Sequence, residues 1–237
     1  MINIELNFIK EMFDTIAPKY DFLNRFLSMR QDVRWRREMV SAAEVAKNSR
    51  VLDVACGTCD VALEIRKQTR ESTKIVGIDF SPGMLALGKK KISAKGKAYK
   101  IDLTAGNALA LPFNDKIFNA VFIAFGIRNI MDRKGALSAF YNALEQGGKL
   151  AVLELTTPEQ GFFKKLYMLY FKKILPLLGG LFSKNARAYE YLPASVIKFP
   201  DPPEFVQIMK QAGFNEIQWK RMTFGIVTLF VGTKTEN

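Results

Sequence analysis

Histidine is absent from this sequence. Its absence removes the commonest general base near neutral pH and the commonest nitrogen ligand for zinc. Cysteine is nearly absent too, with only Cys56 and Cys59. Their C-x-x-C spacing invites a redox or metal reading, but a structural zinc site takes about four ligands and two thiols are half of that. No metal site is expected. Long apolar runs are missing: none reaches the roughly 18 residues of a membrane span. Asn3, Glu5, Lys10, Glu11 and Asp14 interrupt the stretch a signal peptide would keep apolar. Acids are in short supply, 23 against 35 Lys and Arg, leaving a charge of +12 that suits an anionic partner or general solubility. What is present, 49% hydrophobic and 24% charged residues over 237 positions, is enough to build one large folded core.

The chain is organised around Val51 to Asp60, VLDVACGTCD. It reads as a buried strand ending in Asp53, a turn through Ala55, Cys56 and Gly57, and a helix opening near Thr58. Such a unit lies at the carboxyl end of a doubly wound sheet, where these folds bind ligands. Gly57 lets the backbone approach the ligand, and the free N–H groups of the helix face a carboxylate or phosphate. The dinucleotide fingerprint would need glycine where Cys59 stands, which argues against a pyrophosphate. A single glycine preceded by an acid fits S-adenosyl-L-methionine better. Asp53 then takes the amino group and Gly57 clears the carboxyl tail.

Downstream strand ends support a nucleoside. Lys74 to Asp79 is a second apolar strand closed by an acid, about twenty residues on, where a carboxylate meets the ribose hydroxyls. Ser81 and Pro82 open the next helix as N-cap and first residue, and Met84 lies either in the core or against the adenine. A third strand, Tyr99 to Thr104, ends before Gly106, Asn107 and Ala108, where an amide or backbone N–H reads the adenine edge. A fourth strand, Lys116 to Phe125, delivers Phe125-Gly126-Ile127-Arg128-Asn129 over the crevice, a cation and an amide where a methyl acceptor would sit. A helix from Arg133 to Leu144, a turn at Gly147-Gly148 and a strand Lys149 to Leu155 follow. Phe214 to Trp219 and Thr223 to Val231 close the sheet as a strand pair.

Around this core lie two helical additions. Residues 1–48 form a cap, in which Tyr20 to Ser28 mixes aromatic, acidic and amide groups; as a plain packing helix it would bury Phe22, Leu23 and Phe26. In Phe162 to Phe182, a turn of about 100° per residue puts Lys164, Lys165, Lys172 and Lys173 on one half. Phe163, Leu166, Tyr167, Tyr170, Phe171 and Ile174 fall on the other, before Pro176 and Gly179-Gly180 break the pattern. Such a helix lies on an anionic membrane, covers a greasy substrate, or simply packs on the sheet. Lys89 to Lys91 reads as a solvated face.

Seven stretches together resemble the ubiquinone/menaquinone biosynthesis C-methyltransferases: YDFLN-x-x-LS at Tyr20 to Ser28 with Trp35 beyond, VLDVACGT, GIDFSPGML, GNALALPF, FGIRN, GGKLAVLEL, and YEYLPASVIKFP from Tyr189 to Pro200. The resemblance covers nearly the whole chain. It implies an α/β, class I S-adenosylmethionine-dependent methyltransferase fold: a seven-stranded doubly wound sheet with its last strand antiparallel, an N-terminal helical cap and an amphipathic helical insertion. The expected division is cap 1–48, cofactor core 49–158, insertion 159–200 and closing helix and strands 201–237. The resemblance puts Thr58, Asp79, Asn107 and Ala108 at cofactor positions and implies a polyprenylated quinol as acceptor, demethylmenaquinol first and a ubiquinol precursor second. It further implies a cytoplasmic chain in peripheral contact with the inner membrane face, no nucleic acid, and an open oligomeric state that includes a homodimer. The family usually has histidine at Asp32, methionine at Leu23, glycine at Cys59 and a hydroxyl residue at Ala124.

With the methyl group already activated as a sulfonium, the protein must align it with a ring carbon and raise that carbon's electron density. Arg128 is expected to stabilise the ionised ring oxygen and hold a proton-accepting water, with Asn129 and Tyr20 orienting the ring; a free arginine is a poor base. Two other classes share the cofactor. A nucleic-acid methyltransferase would carry an N-P-P-Y or P-C signature, which is missing here. A cofactor-binding membrane scaffold would transfer nothing, and another lipid or small-molecule methyltransferase is the nearest enzymatic rival.

Overall fold

Alternation along the central strands decides the architecture. In β1 (Arg50–Val54) and β4 (Phe118–Ala124), Val51, Ala120 and Phe122 turn to one face and Leu52, Val121 and Ile123 to the other, all fully or almost fully buried. A strand buried on both faces belongs inside a parallel sheet covered by helices. The computed structural model, which describes residues 2–69, 73–96, 99–159, 161–169 and 186–235, with 2–8 and 186–190 by backbone alone, shows that arrangement. The sheet has seven strands in the order β3-β2-β1-β4-β5-β7-β6, adding β2 (Lys74–Asp79), β3 (Asp102–Ala105), β5 (Leu144–Leu155), β6 (Asn215–Met222) and β7 (Val227–Thr233). Strands β1 to β5 pair in parallel, and β7 runs antiparallel to both β5 and β6. The reversal follows from chain length: only Thr223 to Ile226 separates β6 from β7, too short for a parallel crossover.

One core packs β1, β4 and β5 against α5 (Arg133–Ala143) and a helix over Pro202–Gln211, while the opposite core packs them against α2 (Gln31–Ala42) and α3 (Asp60–Thr69). The cap consists of α1 (Ile2–Leu27) and α2; α4 (Pro82–Ser93) follows β2 with Ser81 as its N-cap, its hydroxyl accepting the Met84 N–H at 3.1 Å. The insertion enters as α6 (Phe162–Leu169) and leaves as α7 (Ala186–Ile197), and Pro202–Gln211 is α8. Tyr170 to Phe182 of the expected amphipathic segment lies outside the described residues.

The expected doubly wound sheet with its last strand antiparallel is present, with local differences. Helix α3 opens at Asp60, not Thr58, because Cys59 holds a left-handed φ of 69°. Gly147 and Gly148 do not precede a strand but bulge inside one: Leu144 already pairs with Phe118, and pairing resumes at Lys149 opposite Ala120. Leu23 is buried, whereas Phe22 and Phe26 stack on each other in solvent, so the plain packing reading of that stretch fails for two of its three residues. Strand order reverses between β1 and β4, and the crevice beyond their carboxyl ends is the place for a site.

Candidate active site

The turn after β1 is built from unusual backbone. Ala55, Gly57 and Cys59 have φ of 51°, 53° and 69°, so left-handed residues recur at every second position. Non-glycine residues held this way mark sites where the surroundings over-determine the chain. A side chain built on Gly57 would meet nothing within 4 Å, so the turn opens onto free space there. Its N–H donates to Asp79 Oδ2 at 2.8 Å, and the Ser81 N–H donates to Asp79 Oδ1 at 2.9 Å. Burial raises the Asp79 carboxyl above its ordinary value, against the pull of the N–H donors of Ser81, Gly57 and Phe80. Asp53 is deeper still. Its Oδ2 accepts the Ala62 N–H at 3.1 Å, tying the turn to α3, and Oδ1 makes no hydrogen bond among the described residues. Desolvation pushes its carboxyl up to about 8, opposed by the Ala62 N–H and helped by the charge of Asp79.

The remaining expected cofactor residues surround this turn. Met84 is buried at the first turn of α4. Asn107 is exposed beyond β3 with its side-chain oxygen accepting the Leu109 N–H at 3.0 Å, and Ala108 packs at the edge of the core. The Thr58 hydroxyl donates to Asp21 Oδ1 of α1 at 2.6 Å. Asp14, two turns earlier on the same face of α1, bonds the Ser81 hydroxyl, and a Cβ at Gly83 would come within 2.8 Å of its Oδ1. The cap is therefore pinned to the crevice at both ends of the expected cofactor position. An open glycine turn, two buried carboxylates and an amide at three successive strand ends suit a nucleoside bearing an amino acid tail.

A second space lies beside it, a cavity of about 500 Å³ walled largely by apolar side chains of α1, α2, α6, α7 and the turn between β6 and β7. Tyr20, Trp35, Phe125, Arg128, Tyr167 and Phe224 are among its walls. The two spaces abut at the switch point: a Cβ on Gly126 would come within 2.9 Å of the Ala55 Cβ, so the turn after β4 rests on the turn after β1. Glycine alone permits that approach.

Two arginines line this cavity: Arg36, paired with Asp32 at 2.6 Å and Asp60 at 3.3 Å, and Arg128. Arg128 Nη1 donates to Glu154 Oε1 at 2.7 Å and to the Phe125 carbonyl, its Nε to Ser195 Oγ at 3.3 Å, and its backbone N–H to Glu154 Oε2 at 3.1 Å. No hydrogen bond falls on Nη2 among the described residues. Burial disfavours the guanidinium charge, but Glu154 outweighs it and Arg128 is held above its ordinary value, a permanent cation. Burial also raises the Tyr20 phenol, opposed by its bond to Asn24 and by the charges of Arg36 and Arg128, so it stays a donor. Asn129 sits on the same turn but does not line the cavity; its Oδ1 accepts the Tyr191 hydroxyl at 3.1 Å. The structure thus brings Arg128 and Tyr20 to one cavity and leaves Asn129 behind its wall.

Several members were not picked out from sequence. Asp32, where the resemblance led to an expected histidine, binds Arg25 and Arg36, the latter at 2.6 Å, and accepts the Ser28 hydroxyl at 2.9 Å. Asp60 takes Arg25 at 2.9 Å and Lys91 at 2.6 Å; burial alone would raise it, but Arg36, Lys91 and Arg25 hold it low. Lys91 corrects the solvated reading of its run. Lys89 and Lys90 are exposed, while Lys91 bridges Asp21, Asp60 and Thr58. Glu154 had a usable signal: like Asp53 and Asp79, it is an acid at the close of an apolar strand.

Comparisons with known proteins come down on one family. The profile of the ubiE/COQ5 methyltransferase family matches residues 1–234. The chain is 48% identical over 226 residues to a ubiquinone/menaquinone biosynthesis C-methyltransferase of Geobacter sulfurreducens, covering 95% of this chain and 88% of that one. It is 45% identical over 223 residues to a demethylmenaquinone methyltransferase of Thermus thermophilus, covering 94% and 100%. Among solved structures it is similar to an S-adenosylmethionine-dependent methyltransferase of Thermotoga maritima, with a TM-score of 0.68, 19% identity and coverage of 95% and 99%.

Proposed function

This chain belongs to the ubiE/COQ5 methyltransferase family, and from that premise we propose that it is an S-adenosyl-L-methionine-dependent C-methyltransferase acting on the ring of a polyprenylated quinol. Demethylmenaquinol is the first acceptor and a ubiquinol precursor the second. The observation that carries this reading is an apolar cavity with a buried guanidinium in its wall, where the turn that carries Phe125 and Arg128 rests through Gly126 on Ala55 of the cofactor turn. An apolar ring and the start of a prenyl chain need such a space, and a ring oxygen needs such a cation.

When bound, S-adenosyl-L-methionine supplies a methyl group already activated on a sulfonium. Asp79 would hold the ribose hydroxyls, Gly57 and Thr58 the amino acid tail, and Asn107 and Ala108 the adenine edge, with Met84 against the adenine. The free Oδ1 of Asp53 would take the amino group. Arg128 stabilises negative charge on the ring oxygen next to the reacting carbon, and Tyr20 donates to the ring while Asn129, held by Tyr191, keeps the turn in place. Because Arg128 stays charged, it does not act as base, and the ring proton passes to a water in the cavity.

The mouth of the cavity supports peripheral membrane contact from the cytoplasmic side. Phe163 of α6 stacks on Phe224 with ring centroids 4.2 Å apart, and Phe162, Leu166, Met29, Phe22 and Phe26 are exposed, with Lys164 and Lys165 alongside. No helix among the described residues is long and apolar enough to cross a membrane. A rim of this kind lets a prenylated ring enter from the lipid surface.

The test is incubation with methyl-labelled S-adenosyl-L-methionine and, in parallel, demethylmenaquinol and a demethylated ubiquinol precursor in detergent. Label on a ring carbon of either is the expected result and selects the nucleus. Intact cofactor binding with no label on either refutes the proposed reaction.

A further inference from the structure

We propose that Glu154 is a positioning residue for methyl transfer: it aims Arg128 so that only Nη2 meets the ring oxygen, and it moderates the charge that oxygen feels. The inference rests on the function proposed above. Glu154 is wholly buried at the end of β5, where a carboxylate is costly unless its charge and its lone pairs are met. Both oxygens are occupied, and they meet the same neighbour twice. Oε1 takes Arg128 Nη1 at 2.7 Å and the Leu155 N–H at 2.8 Å, and Oε2 takes the Arg128 backbone N–H at 3.1 Å.

One carboxylate therefore fixes both the backbone and the side chain of Arg128. Ser195 of α7 holds Nε while its own hydroxyl donates to the Leu192 carbonyl at 2.8 Å, and the Phe125 carbonyl takes Nη1 again. With Nε and Nη1 held from β5, α7 and the β4 turn, the remaining donor is Nη2, and Arg128 lines the cavity. Methyl transfer forms a bond from the ring carbon using the electron pair of the ionised ring, breaks the methyl–sulfur bond with its pair left on sulfur, and sends the ring proton to water. The donor must then sit at the ring oxygen while charge builds there, which is a matter of tenths of an ångström. Glu154 also sets how strongly the oxygen is acidified: a balanced guanidinium lowers a phenol's pKa less than a bare one.

A merely structural role for Glu154 would leave that pKa unchanged or, by loosening Arg128, raise it on loss of the carboxylate, whereas the proposed role lowers it, so the test reads the direction. The absorbance of 4-nitro-1-naphthol bound in the cavity is titrated with pH in the wild type, Glu154→Gln, Glu154→Asp and Arg128→Ala. The expected order is a pKa lowest in Glu154→Gln, about one unit higher in the wild type, and highest in Arg128→Ala, where the apolar walls and the unpaired Glu154 carboxylate both disfavour the phenolate. In parallel, turnover of the quinol falls about 10- to 100-fold in Glu154→Gln with KM nearly unchanged, and about 10-fold in Glu154→Asp. In the Arg128→Ala background, Glu154→Gln costs nothing further. A probe pKa in Glu154→Gln equal to or above that of the wild type overturns the proposal, as does a Glu154→Asp enzyme with full turnover should the Gln variant fail to fold. A wild type that shifts the probe but methylates no quinol refutes the function proposed above and leaves the Glu154 result readable.

Discussion

The cofactor crevice and the acceptor cavity sit side by side yet are assembled in opposite ways. The crevice draws on contiguous strand-turn-helix stretches, so Asp53, Gly57 and Thr58, then Asp79, Ser81 and Met84, arrive together in the chain. Much of its bonding is to backbone N–H groups, as at Gly57, Ser81 and Ala62. The cavity takes walls from α1, α2, the β4 turn, α6, α7 and the β6–β7 turn, and its bonding joins residues far apart in the chain, 26 residues for Arg128 and Glu154 and 67 for Arg128 and Ser195. A local motif fixes what the first site binds. Tertiary packing fixes what the second one does, which is how one cofactor edge serves many acceptors.

That contrast breaks most visibly at Arg128. Replacing it with alanine is expected to lower turnover about 10³-fold, near 4 kcal/mol, while the cofactor dissociation constant measured by calorimetry stays within about twofold. An equal loss in both would mean that the two sites are not separable. Next in size is Gly88 on α4, where an added Cβ would lie 2.4 Å from Cys59 Sγ and 3.4 Å from the Gly57 carbonyl. Gly88→Ala should cost about 1–3 kcal/mol of stability by denaturant titration, and Cys59→Gly in the same chain should recover most of it. Failure of the second change to rescue the first would show that the turn itself, not the thiol, is what crowds position 88.

The smallest effect is a proton. Asp53 titrates near 8 in the free protein because burial disfavours its charge, so it is mostly protonated at pH 6–7. A cationic amino group beside Oδ1 favours the carboxylate, so cofactor binding releases up to about one proton there, and affinity rises with pH until the free carboxyl is ionised near 8. Calorimetry in buffers of differing ionisation heat measures the release. Asp53→Asn should abolish it, and a release unchanged in that variant would place the titrating group elsewhere.

How much of this was legible in the sequence follows the same divide. The strand ends were readable because an apolar run closed by an acid, then a glycine or a helix cap, is a one-dimensional signal carried by adjacent residues. It located Asp53, Asp79, Asn107 and the Phe125 to Asn129 turn. Glu154 obeys the same rule, but its partner lies 26 residues away, and only the parallel pairing of β4 with β5, Ala124 beside Leu153, brings the two together. Asp21 reaching Thr58 across 37 residues, and Arg25 reaching Asp60 across 35, depend on where a cap helix lands, which periodicity does not encode. Phe22 and Phe26 misled for a related reason: helical spacing says which residues share a face, not whether that face meets protein, lipid or water.

Cys59 and Gly88 also constrain the order in which this sequence could have changed. The Cys59 thiol, wholly buried and on a left-handed backbone, fills the space above Gly88. With glycine at 59 instead, a methyl group at 88 would meet no sulfur. A chain that gains a side chain at 88 while keeping the cysteine carries the cost of that overlap, whereas one that first gives up the cysteine does not, so the cheaper route through the two changes has one direction.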